Sequence, residues 1–434
     1  MVIIVMAGRV QLLASGAQDR FFTTDPDYTY FLQSFKKHSN FAREYVNIDP
    51  ETAVDFGEMA RFKVAQNTGD LLLTLSLKMK LPEILTGSWG YIDSVGHALI
   101  EYVDLVVGGK IIQRLTSDYL QIYSEHFVTQ TKQRALKHLV GKYPERAISA
   151  RVSDKEILCH LGASFDVQEC FVDLPFYFYN NPELAVPLCA IKQQEVEVEV
   201  KLRSYKDLIA KVDGSRPLVD FTEILKLQEF QLCAEVAFID PCERIKIENE
   251  NRDYVITQVQ QNVFDVAQAA QTGTFKLDFY NPVRELYFVI QRTGDVGTDE
   301  GQFMTPFDYD NTLEQTGNKY ILYENLDYLT LDLDGQPIIA QETGNVIFLK
   351  AVQAAIHHSK TQLLRRFYSY SFALEPEKWY ATGQINFSLV KEQILNLSLT
   401  PCADYPRQVR VYAVSHNILR VSEGTARTLF DLKY

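Results

Sequence analysis

The stretch RFYSYSFALEPEKWYATGQINFSLVKEQILNLSLTP, residues 366–401, together with QVRVYAVSHNILRV, residues 408–421, decides how the rest of the chain is read. Leu395, Leu397 and Leu399 alternate with Asn396, Ser398 and Thr400, the period-two signature of a strand with one buried and one wet face. Val409 and Val411 repeat the pattern against Arg410 and Tyr412. The segment between them starts at Pro401 and ends at Pro406, and prolines that cannot donate to a ladder mark it as a connection. Two strands joined in this way read as the end of an antiparallel β-sandwich.

Working outward, 434 residues exceed the roughly 250–300 at which one core stops growing, so two domains of about 200 residues are expected. Aromatics at 12%, with 24 Tyr and 26 Phe, suit a strand-rich protein. The net charge is −13 and no long basic run occurs, which argues against direct binding of nucleic acid, since that needs clustered Lys and Arg on phosphates. The six cysteines (Cys159, Cys170, Cys189, Cys233, Cys242 and Cys402) include no CxxC pair and read as buried free thiols in a reducing compartment. No stretch approaches the roughly 20 apolar residues of a membrane span, and Val2–Ala7 is too short for a signal core. The expectation is a soluble protein made in the cytoplasm.

Taken in order, Leu12–Ile48 reads as an extended arm, broken at Gly16, Asp25 and Pro26, whose aromatic density from Phe21 to Phe41 implies that it packs on something, either its own domain as a first strand or a neighbouring subunit. From Leu71 to Leu81 every odd position is apolar, a half-buried strand in which a one-residue slip would forfeit on the order of 10 kcal/mol. VDLVV, Gly108-Gly109 and KIIQRL predict a hairpin with a primed turn. Tyr119–Val140 has helical spacing and stops at Gly141 and Pro144. Val196, Val198, Val200 and Leu202 alternate with Glu195, Glu197, Glu199 and Lys201. Asp213-Gly214 and Pro217 interrupt the strand pattern, so 205–226 is read as a linker between an arm with first strand (1–45), a first sandwich (46–204) and a second sandwich (227–434). In the second half PVRELYFVIQ reads as a buried strand, Gly294–Asn318 as a solvated insertion, and Asp334-Gly335 as a turn after the alternating Leu329, Leu331 and Leu333.

Chemistry is sparsely signalled. The chain has no GxSxG, Walker, GxGxxG or HExxH motif. The adjacent His357-His358 cannot share a face and make a poor metal clamp. The three alternating Glu read as a solvated strand face, and Asp295, Asp299 and Glu300 lack calcium-loop spacing. No catalytic, cofactor or metal residue is nominated. Asn386-Phe387-Ser388 and Asn396-Leu397-Ser398 match the N-glycosylation pattern, so Asn386 and Asn396 are the candidate modification sites. A carbohydrate-binding or carbohydrate-active β-sandwich stands as the alternative function, because the two carboxylates of a glycosidase can come from distant strands.

The closing motifs FALEPE, Gly383-Gln384, INFS and VRVYAVSHNILR resemble the last strands of the double jelly-roll major capsid proteins of nucleocytoplasmic large DNA viruses. GAQDRFFTTDP followed by YTYFLQSFKKHSNFARE is similar to the opening of the same family, with Thr23-Thr24-Asp25-Pro26 departing from its usual Thr-Gly-Asn-Pro. Leu174–Val200 and Ala234–Val259, including Glu243-Arg244, extend the resemblance, and Met6-Ala7-Gly8 resembles the family start, so the first five residues read as an extension. The resemblance implies an all-β fold of two tandem antiparallel eight-stranded jelly-roll β-sandwiches with short helices in the connections. It further implies a non-enzymatic homotrimer forming pseudo-hexagonal capsomers in the icosahedral capsid of a double-stranded DNA virus. Neighbouring capsomers, minor capsid proteins and the penton protein would be partners, with an inner membrane nearby but not entered and assembly in host cytoplasm. The tail SEGTARTLFDLKY departs from the family's glycine-rich end.

Overall fold

The computed structural model describes residues 7–32, 35, 37–84, 89–142, 168–211, 226–293, 307, 309, 311–316, 319–361, 366–401 and 406–430. The chain divides into two units, Met1–Asn40 and Phe41–Tyr434. The first differs from the extended arm expected, because it contains two short helices, Ala7–Leu13 and Ala17–Thr23. Asp19 explains the second: its carboxylate accepts the Gly16 backbone N–H at 2.8 Å and closes the helix start. The aromatic rings of Phe21, Phe22 and Phe31 are exposed.

The second unit holds two sandwiches. The first is built from β1 (Phe41–Ile48), β2 (Met59–Val64), β3 (Leu71–Leu81), β5 (Ile100–Val107), β6 (Lys110–Thr116), β7 (Gln168–Asp173), β8 (Val196–Leu202) and β10 (Glu229–Ile239), with a small side pair β4 (Trp89–Tyr91) and β9 (Ile209–Lys211). The second uses β11 (Arg252–Val266), β12 (Thr272–Lys276), β13 (Pro282–Arg292), β16 (Leu326–Leu333), β17 (Gln336–Ile339), β18 (Tyr368–Ser371), β20 (Gln393–Leu399) and β21 (Arg407–Ser422). Outside that frame lie the hairpin β14 (Asn311–Thr316) and β15 (Lys319–Tyr323), and the short strands β19 (Ile385–Asn386) and β22 (Thr425–Thr428).

The sheets run β1-β10-β3-β7 and β2-β8-β5-β6 in the first sandwich, and β11-β21-β13-β18 and β12-β20-β16-β17 in the second. Counting principal strands from the start of each sandwich, both therefore pair first-eighth-third-sixth and second-seventh-fourth-fifth. This is the antiparallel jelly-roll order, drawn twice. The expected double jelly roll is what the chain forms. Glu229–Ile239, inside the 227–434 stretch assigned from sequence to the second sandwich, pairs with β1 and β3 and completes the first. An eighth strand that returns beside the first after a long connection has no local feature that says which sheet receives it.

Two turns match their sequence reading. Gly108 and Gly109 have φ of 57° and 76°, and Asp334 and Gly335 have φ of 50° and 75°, the left-handed pairs of primed hairpin turns. Strand β3 differs in one respect. Its pairing passes from Glu235↔Thr74 to Val236↔Leu72, so Leu73 is the extra residue of a β-bulge. Leu72, Leu75, Leu77, Met79 and Leu81 enter the main core, whereas Leu73 packs with Ala185 and Ala237 in a separate small cluster. The helix expected over Tyr119–Val140 is two helices, Ser117–His126 and Gln133–Val140, the second stopped by Gly141 at φ 73°.

Gly344 marks a close approach between chain segments. A Cβ there would lie 1.7 Å from the Leu329 carbonyl oxygen, whose residue donates its N–H to Gly344 O at 2.9 Å. Gly344→Ala is expected to push β16 out of register locally and to destabilise by about 1–3 kcal/mol. Urea denaturation of the variant against the parent measures this.

Candidate functional site

Strands β13 and β21 are buried on both faces, and their alternate side chains belong to different cores. Leu286, Phe288 and Ile290 of β13, with Val409, Val411 and Ala413 of β21, pack inside the second sandwich. Tyr287, Val289, Tyr412 and Val414, pointing the other way, join the core of the first. That is why PVRELYFVIQ reads as continuous apolar sequence rather than alternation. The seam this creates is also tied by backbone and amide bonds: Gln258 Nε2 donates to Ile112 O at 2.5 Å, Ala426 N to Gln194 Oε1 at 2.7 Å, and Gln193 N to Gly424 O at 2.9 Å.

The helix Ser117–His126 lies at this seam and carries a buried charge near each end. Asp118, in its first turn where the helix dipole favours an anion, accepts hydroxyl protons from Tyr309 and Tyr412, both at 2.6 Å. The Arg410 Nε is 2.9 Å from the same carboxylate. Burial, and then the Asp118 charge, push both tyrosines well above their ordinary range, so they remain donors. At the other end Glu125 pairs with Lys142 at 2.5 Å, with Lys360 3.8 Å away.

The neighbouring His126 has its ring 4.2 Å from that of His358. His358 Nε2 is 2.5 Å from Glu285 Oε1, and Tyr287 donates its hydroxyl to Glu285 Oε2 at 2.8 Å. Burial, the largest single influence, would lower the His358 pKa, but the charges and contacts of Glu285 and Glu377 together outweigh it and raise the imidazole to about 9. Burial, again the largest single influence, pushes Glu285 up, and His358, His126 and the Tyr287 hydroxyl together override it and hold the carboxyl below its ordinary value.

Of the residues weighed from sequence, His358 alone joins this cluster, and not through its neighbour His357. The alternating Glu residues form a solvated face, with Glu199 paired to Arg61 at 2.6 Å and Glu195 paired to Lys63. His357 and His358 point apart, since His357 Nδ1 contacts Leu374 O at 3.0 Å. Asn386 is exposed, and its Oδ1 accepts the Ser388 N–H at 3.0 Å. The Asn396 amide donates to Asp332 at 3.1 Å and its Oδ1 accepts from Thr274 at 2.9 Å, so its side chain is engaged across three strands. Cys170 and Cys189 are buried thiols as expected, whereas Cys242 is exposed; Cys159 and Cys402 lie outside the described residues, as do Asp295, Asp299 and Glu300. Asp118 and Glu285 were not nominated, and His358 was weighed only as the partner of His357 and set aside. The available signal was the charged pair Arg284-Glu285 inside an otherwise apolar strand.

A cavity of about 480 Å³ opens beside the seam, lined by Tyr119, Tyr123, Phe127, Arg284, Glu377 and Trp379 among others. Glu377 is the one carboxylate among its described lining residues, whereas glycoside hydrolysis needs a pair.

Comparison with known proteins agrees with the strand order. A family model described as the major capsid protein N-terminus matches residues 29–234, and one described as large eukaryotic DNA virus major capsid protein matches residues 243–427. The chain belongs to the major capsid protein family of large eukaryotic DNA viruses. The major capsid protein of Pyramimonas orientalis virus is 27% identical over 96% of this chain and 97% of its own length. That of Paramecium bursaria Chlorella virus 1 is 24% identical over 96% and 98% respectively. Among solved structures, the PBCV-1 virus capsid has a TM-score of 0.75 at 19% identity, covering 93% of this chain and 100% of that one. The Faustovirus major capsid protein has 0.70 at 14%, covering 94% of each. A major capsid protein is a structural part of the virion shell, and these relatives are shell proteins, not enzymes. The two matched segments leave only residues 235–242 between them, the stretch in which β10 ends.

Proposed function

We propose that three copies of this major capsid protein close about a threefold axis into a pseudo-hexagonal capsomer, and that capsomers tile an icosahedral shell. The carrying observation is the repeated strand order: one chain supplies two blocks of the same topology, so three chains supply six, and a closed ring of six similar blocks has a near-hexagonal outline. We take the blocks as 41–239 and 252–428. The first block also offers a contact surface, because β1 forms the end of its sheet and exposes Phe41 and Tyr45. The exposed rings of Phe21, Phe22 and Phe31 suit the arm to binding neighbouring subunits or the minor capsid proteins beneath. The penton protein fills the fivefold positions in this reading, and shells form in host cytoplasm. An inner membrane lies close without being entered; no helix among the described residues is long and apolar enough to cross one. The genome is not contacted directly, as the net charge of −13 favours repulsion from phosphate.

Native mass measurement tests the proposal. A stable species at three times 49.7 kDa is expected, held by an interface of roughly 2,000–5,000 Å². A monomer at micromolar concentration overturns it.

A further inference from the structure

One buried cluster is left unexplained by shell building. The ligand atoms of His126, Glu285 and His358 all lie within 4.8 Å of one another. His126 ends the helix Ser117–His126 in the first sandwich, whereas Glu285 on β13 and His358 after the helix Gln353–His357 belong to the second. The His358 imidazole is only 1% exposed and the Glu285 side chain 0%. Two imidazoles and one carboxylate make a donor set that suits borderline ions such as Zn²⁺ or Co²⁺, and suits the oxygen-seeking Ca²⁺ and Mg²⁺ poorly.

The surroundings are those a bound ion requires. Tyr287 donates to Oε2 of Glu285 at 2.8 Å, which leaves Oε1 turned to His358. Glu377 Oε1 is 3.4 Å from His358 Nδ1 without forming a hydrogen bond to it, so a carboxylate stands where it would orient the ring behind a metal ligand. Glu285 and Glu377 together balance a dication, so the buried charge is compensated. Access is present as well: Glu377 and Phe127 line the 480 Å³ cavity, and the Phe127 ring is 5.4 Å from the His358 ring.

We propose that His126, Glu285 and His358 bind one divalent transition ion of the zinc class, which pins the two jelly rolls of a single chain together. Metal bonds of about 2.0–2.2 Å in a tetrahedral set place ligand atoms about 3.3–3.6 Å apart, so on loading the His358–Glu285 pair, now at 2.5 Å, opens and the wider pairs, all within 4.8 Å, close by up to about 1.5 Å through side-chain rotation. On loading, His358 loses its Nε2 proton to solvent, its contact with Glu285 Oε1 is replaced by bonds from both groups to the ion, and a water entering from the cavity completes the coordination. The proposal does not depend on how many chains form a capsomer.

The full-length protein in its native assembly state is stripped with chelator and then offered Zn²⁺, Co²⁺ or Mg²⁺. Expected are close to one Zn²⁺ per chain by elemental analysis, visible ligand-field absorption of low-coordinate Co²⁺, and a Tm raised by Zn²⁺ but not by Mg²⁺. His126→Gln should abolish all three. Tyr287→Phe, which leaves the ligands in place and whose folding is checked by circular dichroism, should weaken Zn²⁺ binding by about 10–100-fold. Parent protein that takes up no Zn²⁺ and gives no Co²⁺ spectrum overturns the site, and so does undiminished binding in folded His126→Gln.

Discussion

Asp118→Ala is expected to lower the stability of this capsid protein by about 3–5 kcal/mol, because it strips the partner from a buried cation. Arg410 Nε lies 2.9 Å from Asp118 with its side chain 15% exposed, so water cannot replace the lost carboxylate fully. The hydroxyls of Tyr309 and Tyr412 lose their acceptor at the same time, and an orphaned buried hydroxyl costs about 1–3 kcal/mol. These losses share one network and do not add. Tyr412→Phe, which removes the donation to Asp118 and the acceptance from the exposed Gln261 amide but leaves the ion pair, should cost about 1–2 kcal/mol. The network joins the two jelly rolls: Asp118 lies on a helix of the first and Tyr412 on β21 of the second, 294 residues apart in sequence. Asp118→Ala should therefore also split the thermal transition, as the rolls lose their coupling. Calorimetry measures both effects, and a single transition shifted by less than about 1 kcal/mol would show that the seam is held by apolar packing alone.

That separation of 294 residues also explains what the sequence could reveal. Alternation reports only whether a residue faces a core, and it reported this well for Leu395, Leu397 and Leu399, all buried on β20. It does not report which core. Tyr287 and Leu286 are neighbours in PVRELYFVIQ, yet one packs into the first roll and the other into the second. The turn glycines were legible because positive φ has few chemical solutions. The bulge at Leu73 was hidden because an all-apolar LLL reads the same in either register. The charged groups of the seam were visible as residues but not as a site, since each finds its partner through the sheet order and not through spacing. The family motifs supplied the fold directly, but they carry no statement about the His126, Glu285 and His358 cluster.

His416 gives the second large effect, and its sign follows from its burial. The ring is 6% exposed on β21, and neither nitrogen has a hydrogen-bond partner among the described residues. Burial first, and the nearby Arg284 charge second, lower its pKa from 6.5 to about 4. Between those values the unfolded chain binds a proton that the folded chain refuses, so stability must fall as the pH drops through this window. A shift of that size corresponds to roughly 3 kcal/mol. Other shifted groups act outside the window. His358, raised to about 9, contributes stability that is fully present below 6.5 and is lost on the alkaline side. Glu285 and Glu377, both held below the ordinary 4.5, lose their contributions only at lower pH. Among the described groups with shifted pKa values, His416 is the one that accounts for acid destabilisation between about pH 6.5 and 4.5. His416→Leu removes the titration and breaks no hydrogen bond of the ring, so its urea midpoint should stay nearly level across that range while the parent's declines. Parallel profiles for the two proteins would place the acid sensitivity elsewhere. Should the profiles diverge as expected, a shell built from this subunit would lose stability at mildly acidic pH from within β21 of each chain, before the contacts between chains are tested.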